Sequence, residues 1–148
     1  MPEPLPPKIG RYEIQRELGR GMMGIVYEAF DPALDRRIAL KTIQLAFSVS
    51  EVDRASFQER FLTEARVAAR LSHPGIVVVH DVGQDPATGT LYIALELLKG
   101  HTLAEFVDAG KPIDWREALE ISRRVAQALH HAHAEGVVHR DVKPANIM

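Results

Sequence analysis

Hydrophobic and polar positions change period three times along this chain. Tyr12, Ile14 and Leu18 alternate with Glu13, Gln15 and Glu17, the two-residue period of a half-buried strand. A glycine-rich turn follows, then the β-branched and aromatic run IVYEAF, the turn DPALDRR and a third strand, IALKTI. From Ser48 to Leu71 the period becomes helical, and Phe57, Phe61, Glu64, Ala68 and Leu71 fall within an arc of about 80°. GIVVVHDVG and TLYIALELL predict two more strands around the turn QDPATG. A short helix is expected over 100–110 and a longer one from Asp114, where Asp114 and Glu117 have capping-box spacing. Ala118, Ile121, Val125, Ala128, Leu129 and Ala132 share one face of that helix, Trp115 is expected to anchor its start, and Gly136 suits its end.

Residues 1–10, MPEPLPPKIG, carry four prolines. Proline lacks a backbone donor and favours extended chain, so this stretch reads as a disordered leader, with structure expected to begin near Arg11. The expected organisation is a leader over 1–10, a β-rich unit over 11–99 and a helical unit over 100–148.

Composition narrows the chemistry. With 148 residues, 46% hydrophobic and 26% charged, the chain is an ordinary globular sequence. A net charge of −2 gives no support for nucleic acid or an anionic membrane as partner. The absence of cysteine excludes a disulfide framework and thiolate chemistry. There is no signal-peptide profile and no apolar run long enough to span a bilayer, so a cytoplasmic location is expected. His130, His131 and His133 read as surface positions rather than metal ligands, with His133 the one expected to pack.

Three groups of residues point to phosphate. Gly19, Gly21 and Gly24 have the spacing GxGxxG between two strands, which suits either a plain hairpin or a flap whose backbone approaches phosphate oxygens. A Rossmann turn would open a helix and a Walker loop would continue Gly-Lys, and neither follows Gly24. Lys41 lies inside the apolar strand IALKTI, and Glu64 lies in the apolar arc of the first helix; an ion pair between them would resolve both anomalies and hold an ammonium near two phosphates. In HRDVKPANIM, a carboxylate (Asp141), an ammonium (Lys143) and an amide (Asn146) share one loop after a helix. This set can accept a hydroxyl proton, neutralise transferred charge and ligate a hard cation.

The ordered segments GRGMMGIVYEAFD, IALKTI, TEARVAARLSHPGIV, LYIALELLKGHTL and HRDVKPANIM resemble the eukaryotic-type protein kinase catalytic domain, with the wording of the bacterial serine/threonine branch. The resemblance implies an α+β protein-kinase-like fold: a five-stranded antiparallel N-lobe sheet with one helix, plus the first helices of an incomplete helical C-lobe. It also implies ATP and Mg2+ as cofactors and a protein Ser/Thr hydroxyl as acceptor. By the same resemblance, Leu18, Gly19, Arg20, Gly21, Met22, Met23, Gly24, Ile25 and Val26 form the phosphate flap, with Met22 and Met23 as adaptable contacts at its tip. Lys41 is the phosphate-anchoring lysine and Glu64 its helix partner. Val26 and Ala39 roof the adenine, Leu95 guards the back pocket, Glu96 to Leu98 form the hinge, and Met148 belongs to the adenine floor. Asp141 is the catalytic base, Lys143 its neighbour on the transferred phosphate, and Asn146 a magnesium ligand. Arg140 suggests regulation by activation-loop phosphorylation.

The chain departs from the family in lacking an Asp-Phe-Gly motif, an activation segment and an Ala-Pro-Glu-like motif. The expectation is therefore a kinase fragment, inactive or nearly so alone, with the apolar face of its long helix open to association. A non-catalytic nucleotide-binding or regulatory module is the alternative.

Overall fold

A computed structural model of the chain describes residues 5–21, 24–43 and 51–148. It separates into two compact units. One runs up to Arg70 and includes Val78–Leu97; the other joins Leu71–Val77 to Leu98–Met148.

The first unit is a six-stranded antiparallel sheet with one helix. Its strands are β1 (Lys8–Ile9), β2 (Tyr12–Gly21), β3 (Gly24–Asp31), β4 (Arg36–Ile43), β5 (Val79–Gln84) and β6 (Leu91–Glu96), in spatial order β1-β2-β3-β4-β6-β5. One sheet face carries Ile9, Tyr12, Ile25, Tyr27, Ala29, Ile38, Leu40, Tyr92 and Ala94, all buried together. Side chains alternate across a strand, so Val26, Ala39, Lys41 and Leu95 are committed to the opposite face.

β1 corrects the expectation of a five-stranded sheet and of a disordered leader reaching Gly10. Ile9 pairs with Tyr12 and is buried, and Ile14 N donates to Pro7 O at 3.1 Å. The prolines precede the strand instead of interrupting it. Gly10 turns the chain with φ +57°, and its amide donates to Asp85 Oδ1 at 3.1 Å. That carboxylate is itself buried and held below the usual carboxylate range by the Thr88 hydroxyl and by the amides of Gly10 and Thr88.

A polar network closes the same end of the sheet. Asp31 is fully buried and receives Arg11 Nε and Nη2, each at 3.2 Å, together with the Ala33 amide at 3.1 Å. Burial opposes the Asp31 charge, but the Arg11 guanidinium and the Ala33 amide outweigh it and hold the carboxyl below its ordinary value. Tyr12 donates to Asp81 Oδ2 at 2.7 Å and meets Tyr92 edge-on at 5.6 Å between ring centres.

The helix of this unit, α1, spans Glu51–Ala68, within the expected range; Ser48 lies outside the described residues. Its expected inward arc is not buried. Phe57 stacks on Phe61 at 6.4 Å but stays exposed, Glu64 is exposed, and the described residue that α1 buries is Ala65. β5 likewise starts at Val79 rather than Gly75, and Leu71–Val77 belong to the second unit.

The second unit contains α2 (Leu103–Asp108) and α3 (Trp115–Ala134). Asp114 caps α3 by accepting from the Arg116 amide at 2.9 Å, the second helical position instead of the third that a capping box uses. The helix ends where Val137 N reaches back to Ala132 O and Gly136 adopts φ +78°, a left-handed cap that glycine accepts without strain. Ala128 and Ala132 are buried, and Gly75 packs so closely that a methyl placed on it would come within 3.2 Å of Ala128 Cβ.

His131, not His133, is the histidine that packs: its ring lies 5.3 Å from that of His73. Trp115 is 64% exposed under the Arg116 guanidinium and so anchors nothing, which corrects its expected role. The remaining apolar arc of α3, including Ile121, Val125 and Leu129, lines an open groove of about 420 Å3 with Leu103, Val142 and Ile147. No described helix is long and apolar enough to cross a membrane.

The Asp31 network yields a pH-dependent prediction. Arg11→Met strands a buried carboxylate and should cost about 2 to 3 kcal/mol at neutral pH. Because the Asp31 value is lowered by folding, the stabilisation is full above the ordinary carboxylate range and is lost as pH falls and Asp31 protonates. Denaturant unfolding of both proteins at several pH values should therefore show the penalty shrinking toward acid; a constant penalty would contradict the pairing.

Candidate active site

The sheet presents one group of candidate residues through its register. Gly19 pairs with Val26, Val26 with Lys41, and Lys41 with Ile93, so these four form one rung across β2, β3, β4 and β6. Ala39 pairs with Leu95 on the next same-face rung. Directly opposed residues point to the same face, so Val26, Ala39, Lys41 and Leu95 meet on the face away from the core, as their expected roles require. Ile93 belongs with them, though nothing in the one-dimensional pattern marked it; only the register of β4 against β6 reveals it.

The glycines of the flap are not equivalent. Gly24 has φ +145°, and a methyl placed on it would sit 1.8 Å from Thr42 O, so the fold itself demands glycine there. The Thr42 hydroxyl reinforces this approach by accepting from Ile25 N at 3.2 Å and donating to Ile25 O at 3.0 Å. Around Gly19 and Gly21 a methyl would meet no atom within 4 Å. Nothing in the described packing excludes a side chain at those two, which leaves space over the rung for a ligand.

Ile25 sends its side chain into the core, so any contact it makes in the flap is through its backbone. Arg20 pairs with Glu17 at 2.8 Å, and Leu18 is exposed. Met22 and Met23 lie outside the described residues.

The expected Lys41–Glu64 ion pair is not formed. Both side chains are exposed, and none of the salt bridges among the described residues joins them. The physical reason lies in α1, which turns Ala65 rather than Glu64 inward, so Glu64 is solvated and needs no partner. At the end of β6, the Glu96 side chain and amide are both used within the sheet unit: Oε1 accepts from Val78 N at 2.8 Å, and Glu96 N donates to Val78 O at 2.9 Å. Leu98 and Met148 are exposed.

A second group lies on the loop after α3. Arg140 adopts φ +63°, a left-handed conformation that costs a non-glycine residue energy and reverses the chain between His139 and Asp141. The turn is secured by Asp141 N donating to His139 Nδ1 at 3.2 Å, a role for His139 that its sequence position did not announce. Lys143 Nζ lies 2.9 Å from Asp141 Oδ2, and Asn146 Nδ2 donates to Asp141 O at 2.8 Å and to Asp141 Oδ2 at 3.1 Å. A short 3-10 turn over Pro144–Asn146 brings the amide back toward the carboxylate.

Thus Lys143 and Asn146, the side chains expected to act with Asp141, both contact it on an exposed loop. Lys143 first, and Asn146 second, hold the Asp141 carboxyl below the ordinary carboxylate range, so Asp141 is ionised at neutral pH. Its Oδ2 is engaged by both neighbours, while Oδ1 has no hydrogen-bond partner among the described residues.

Comparison with known proteins places both units within one family. The chain belongs to the protein kinase family: residues 12–148 match the family described as protein kinase domain. Among similar proteins, the serine/threonine-protein kinase PknA of Mycobacterium tuberculosis is 43% identical over 142 residues, covering 94% of this chain and 32% of PknA. The serine/threonine-protein kinase PrkC of Bacillus subtilis is 40% identical over 139 residues, covering 94% of this chain and 20% of PrkC. The crystal structure of the M. tuberculosis PknI kinase domain superposes with a TM-score of 0.80 at 37% identity, covering 94% of this chain and 54% of that one. The chain thus has the protein-kinase fold and spans about a third or less of these curated relatives.

Two outcomes check the site geometry. Gly24→Ala should lower stability by about 2 kcal/mol or more through backbone strain and the clash with Thr42, whereas Gly21→Ala should leave the thermal midpoint nearly unchanged. Lys143→Met should raise the Asp141 carboxyl toward its ordinary value, read as the pH midpoint of its 13C carboxyl resonance; an unmoved midpoint would contradict the ion pair.

Proposed function

We propose that this chain carries the nucleotide-handling parts and catalytic loop of a serine/threonine protein kinase, transferring the γ-phosphoryl of ATP to a protein hydroxyl. The observation that supports this most is the joining of Asp141, Lys143 and Asn146 on one exposed loop by two direct contacts to a single carboxylate oxygen. A carboxylate ionised at neutral pH, with one oxygen unengaged, can orient an attacking hydroxyl and accept its proton. Lys143 would neutralise charge on the transferred group, and Lys41 would supply a second fixed charge from the sheet face. Val26, Ala39 and Leu95 offer an apolar surface for a planar base, and the space over Gly19 and Gly21 would admit phosphate oxygens to backbone amides.

Asn146 fits a role as Mg2+ ligand. Its Nδ2 is spent on Asp141, which leaves its Oδ1 as a hard oxygen donor beside an ionised carboxylate. When bound, the ion would supply charge stabilisation on the phosphate oxygens. Asp141 is the only carboxylate within HRDVKPANIM, and the family pattern uses a second one from an Asp-Phe-Gly motif that these 148 residues do not contain. The 148 residues by themselves are therefore read as nucleotide-binding and at most weakly catalytic.

Calorimetric titration with Mg2+ and a non-hydrolysable ATP analogue tests this reading. Lys41→Met should weaken binding by about tenfold, equivalent to ~1.4 kcal/mol, and Asp141→Asn should leave it within about twofold while removing any phosphotransfer to a generic basic protein. Phosphotransfer that Asp141→Asn does not reduce would overturn the assignment of Asp141.

A further inference from the structure

The catalytic loop is ordered without being buried. Residues 138–146 are all exposed, and of the residues that end the chain only Ile147 is half buried. Most bonds of the loop are internal: Asp141 N to His139, Asn146 Nδ2 to Asp141, Asn146 N to Lys143 O at 2.9 Å and Ile147 N to Pro144 O at 3.3 Å. Among the described residues, one hydrogen bond enters 138–148 from elsewhere, and it is Leu103 N donating to Ile147 O at 2.8 Å.

Leu103 is the first residue of α2, and the first amides of a helix have no acceptor within it. The Thr102 hydroxyl satisfies Glu105 N, and the Leu103 amide is left to find its partner outside. The carbonyl it finds is next in sequence to Asn146, which in turn grips Asp141 through both the carbonyl and Oδ2. Leu103, Val142 and Ile147 also line the same groove, so α2 and the loop already share an apolar seat.

We propose that the Leu103 main-chain amide is the positioning group of the catalytic loop: it fixes Ile147, and through it Asn146 and Asp141, in the arrangement that phosphoryl transfer requires. The functional part rests on the kinase reading above; the ordering of the loop does not. The role belongs to the N–H, because no other hydrogen bond among the described residues ties this segment to α2.

Leu103→Pro tests this selectively. Proline suits the first position of a helix, where its φ is already helical, and Thr102 with ψ 153° has the extended backbone that a residue before proline needs. The substitution should remove the donor and leave α2 intact. In amide hydrogen exchange of the 148-residue chain without nucleotide, Asn146 and Ile147 should exchange about fivefold faster, the effect of losing one net hydrogen bond, while Ala109 N, bonded to Glu105 O, stays protected. Leu103→Ala, which keeps the N–H, should leave Asn146 and Ile147 unchanged.

In calorimetry with ATP, Leu103→Pro should reduce the gain in affinity that Mg2+ provides by a similar factor and leave Mg2+-free binding unchanged. Unaltered exchange at Asn146 and Ile147 with Ala109 still protected would overturn the proposal. If Ala109 loses protection, the same readings are taken on the backbone ester at Leu103, which deletes the N–H alone and decides the matter by the same criterion. Faster loop exchange in a chain that does not bind ATP at all would sink the kinase reading and leave the positioning role standing.

Discussion

The register of β4 against β3 and β6 is the constraint on which the rest depends. Strand side chains alternate, so the pairing that seals Ile38, Leu40 and Ala94 into the core also assigns Ala39, Lys41 and Leu95 to the opposite face. A slip of one residue would expose the core and bury Lys41 together. Folding stability therefore protects the proposed nucleotide face, although the side chains of that face contribute little to stability. Gly24 adds a second lock, since its contact with the Thr42 backbone sets how closely the β2–β3 hairpin can lie on β4.

The loop after α3 is built on another principle. It has almost no buried apolar surface, so its order comes from directed polar contacts: the left-handed Arg140, the His139 acceptor, and Asp141 shared between Lys143 and Asn146. Such contacts are individually weak at exposed sites, which makes the anchor from α2 matter. The apolar groove beside the loop, between α2, α3 and Ile147, is open in the chain as described.

Much of this was legible in the sequence, because amphipathic period and turn chemistry dominate where strands are long. The strands that follow the glycine turn, the Asp114 cap and the grouping of Asp141, Lys143 and Asn146 follow from local rules. Other features depend on distant partners and could not be read locally. β1 exists because Asp85, far along the chain, receives the Gly10 amide at the end of a proline-rich stretch that by itself favours disorder. The apolar arc of α1 suggests that Glu64 is drawn inward to Lys41, but the helix turns Ala65, about 100° round from Glu64, inward and leaves Glu64 in water. Trp115 and His133 were misread for a related reason: at a helix surface, exposure depends on which neighbour arrives, and the segment that reaches α3 packs on Ala128 and His131.

The central claim is that the Asp141 loop holds the metal of a bound nucleotide through Asn146. Replacing Mg2+ by paramagnetic Mn2+ with ATP, and recording the amide spectrum of the 148-residue chain, tests it most directly. The prediction is selective broadening of the loop around Asp141 and Asn146, abolished by Asn146→Ala. Broadening confined to other residues, or broadening of the loop that survives Asn146→Ala, would contradict it.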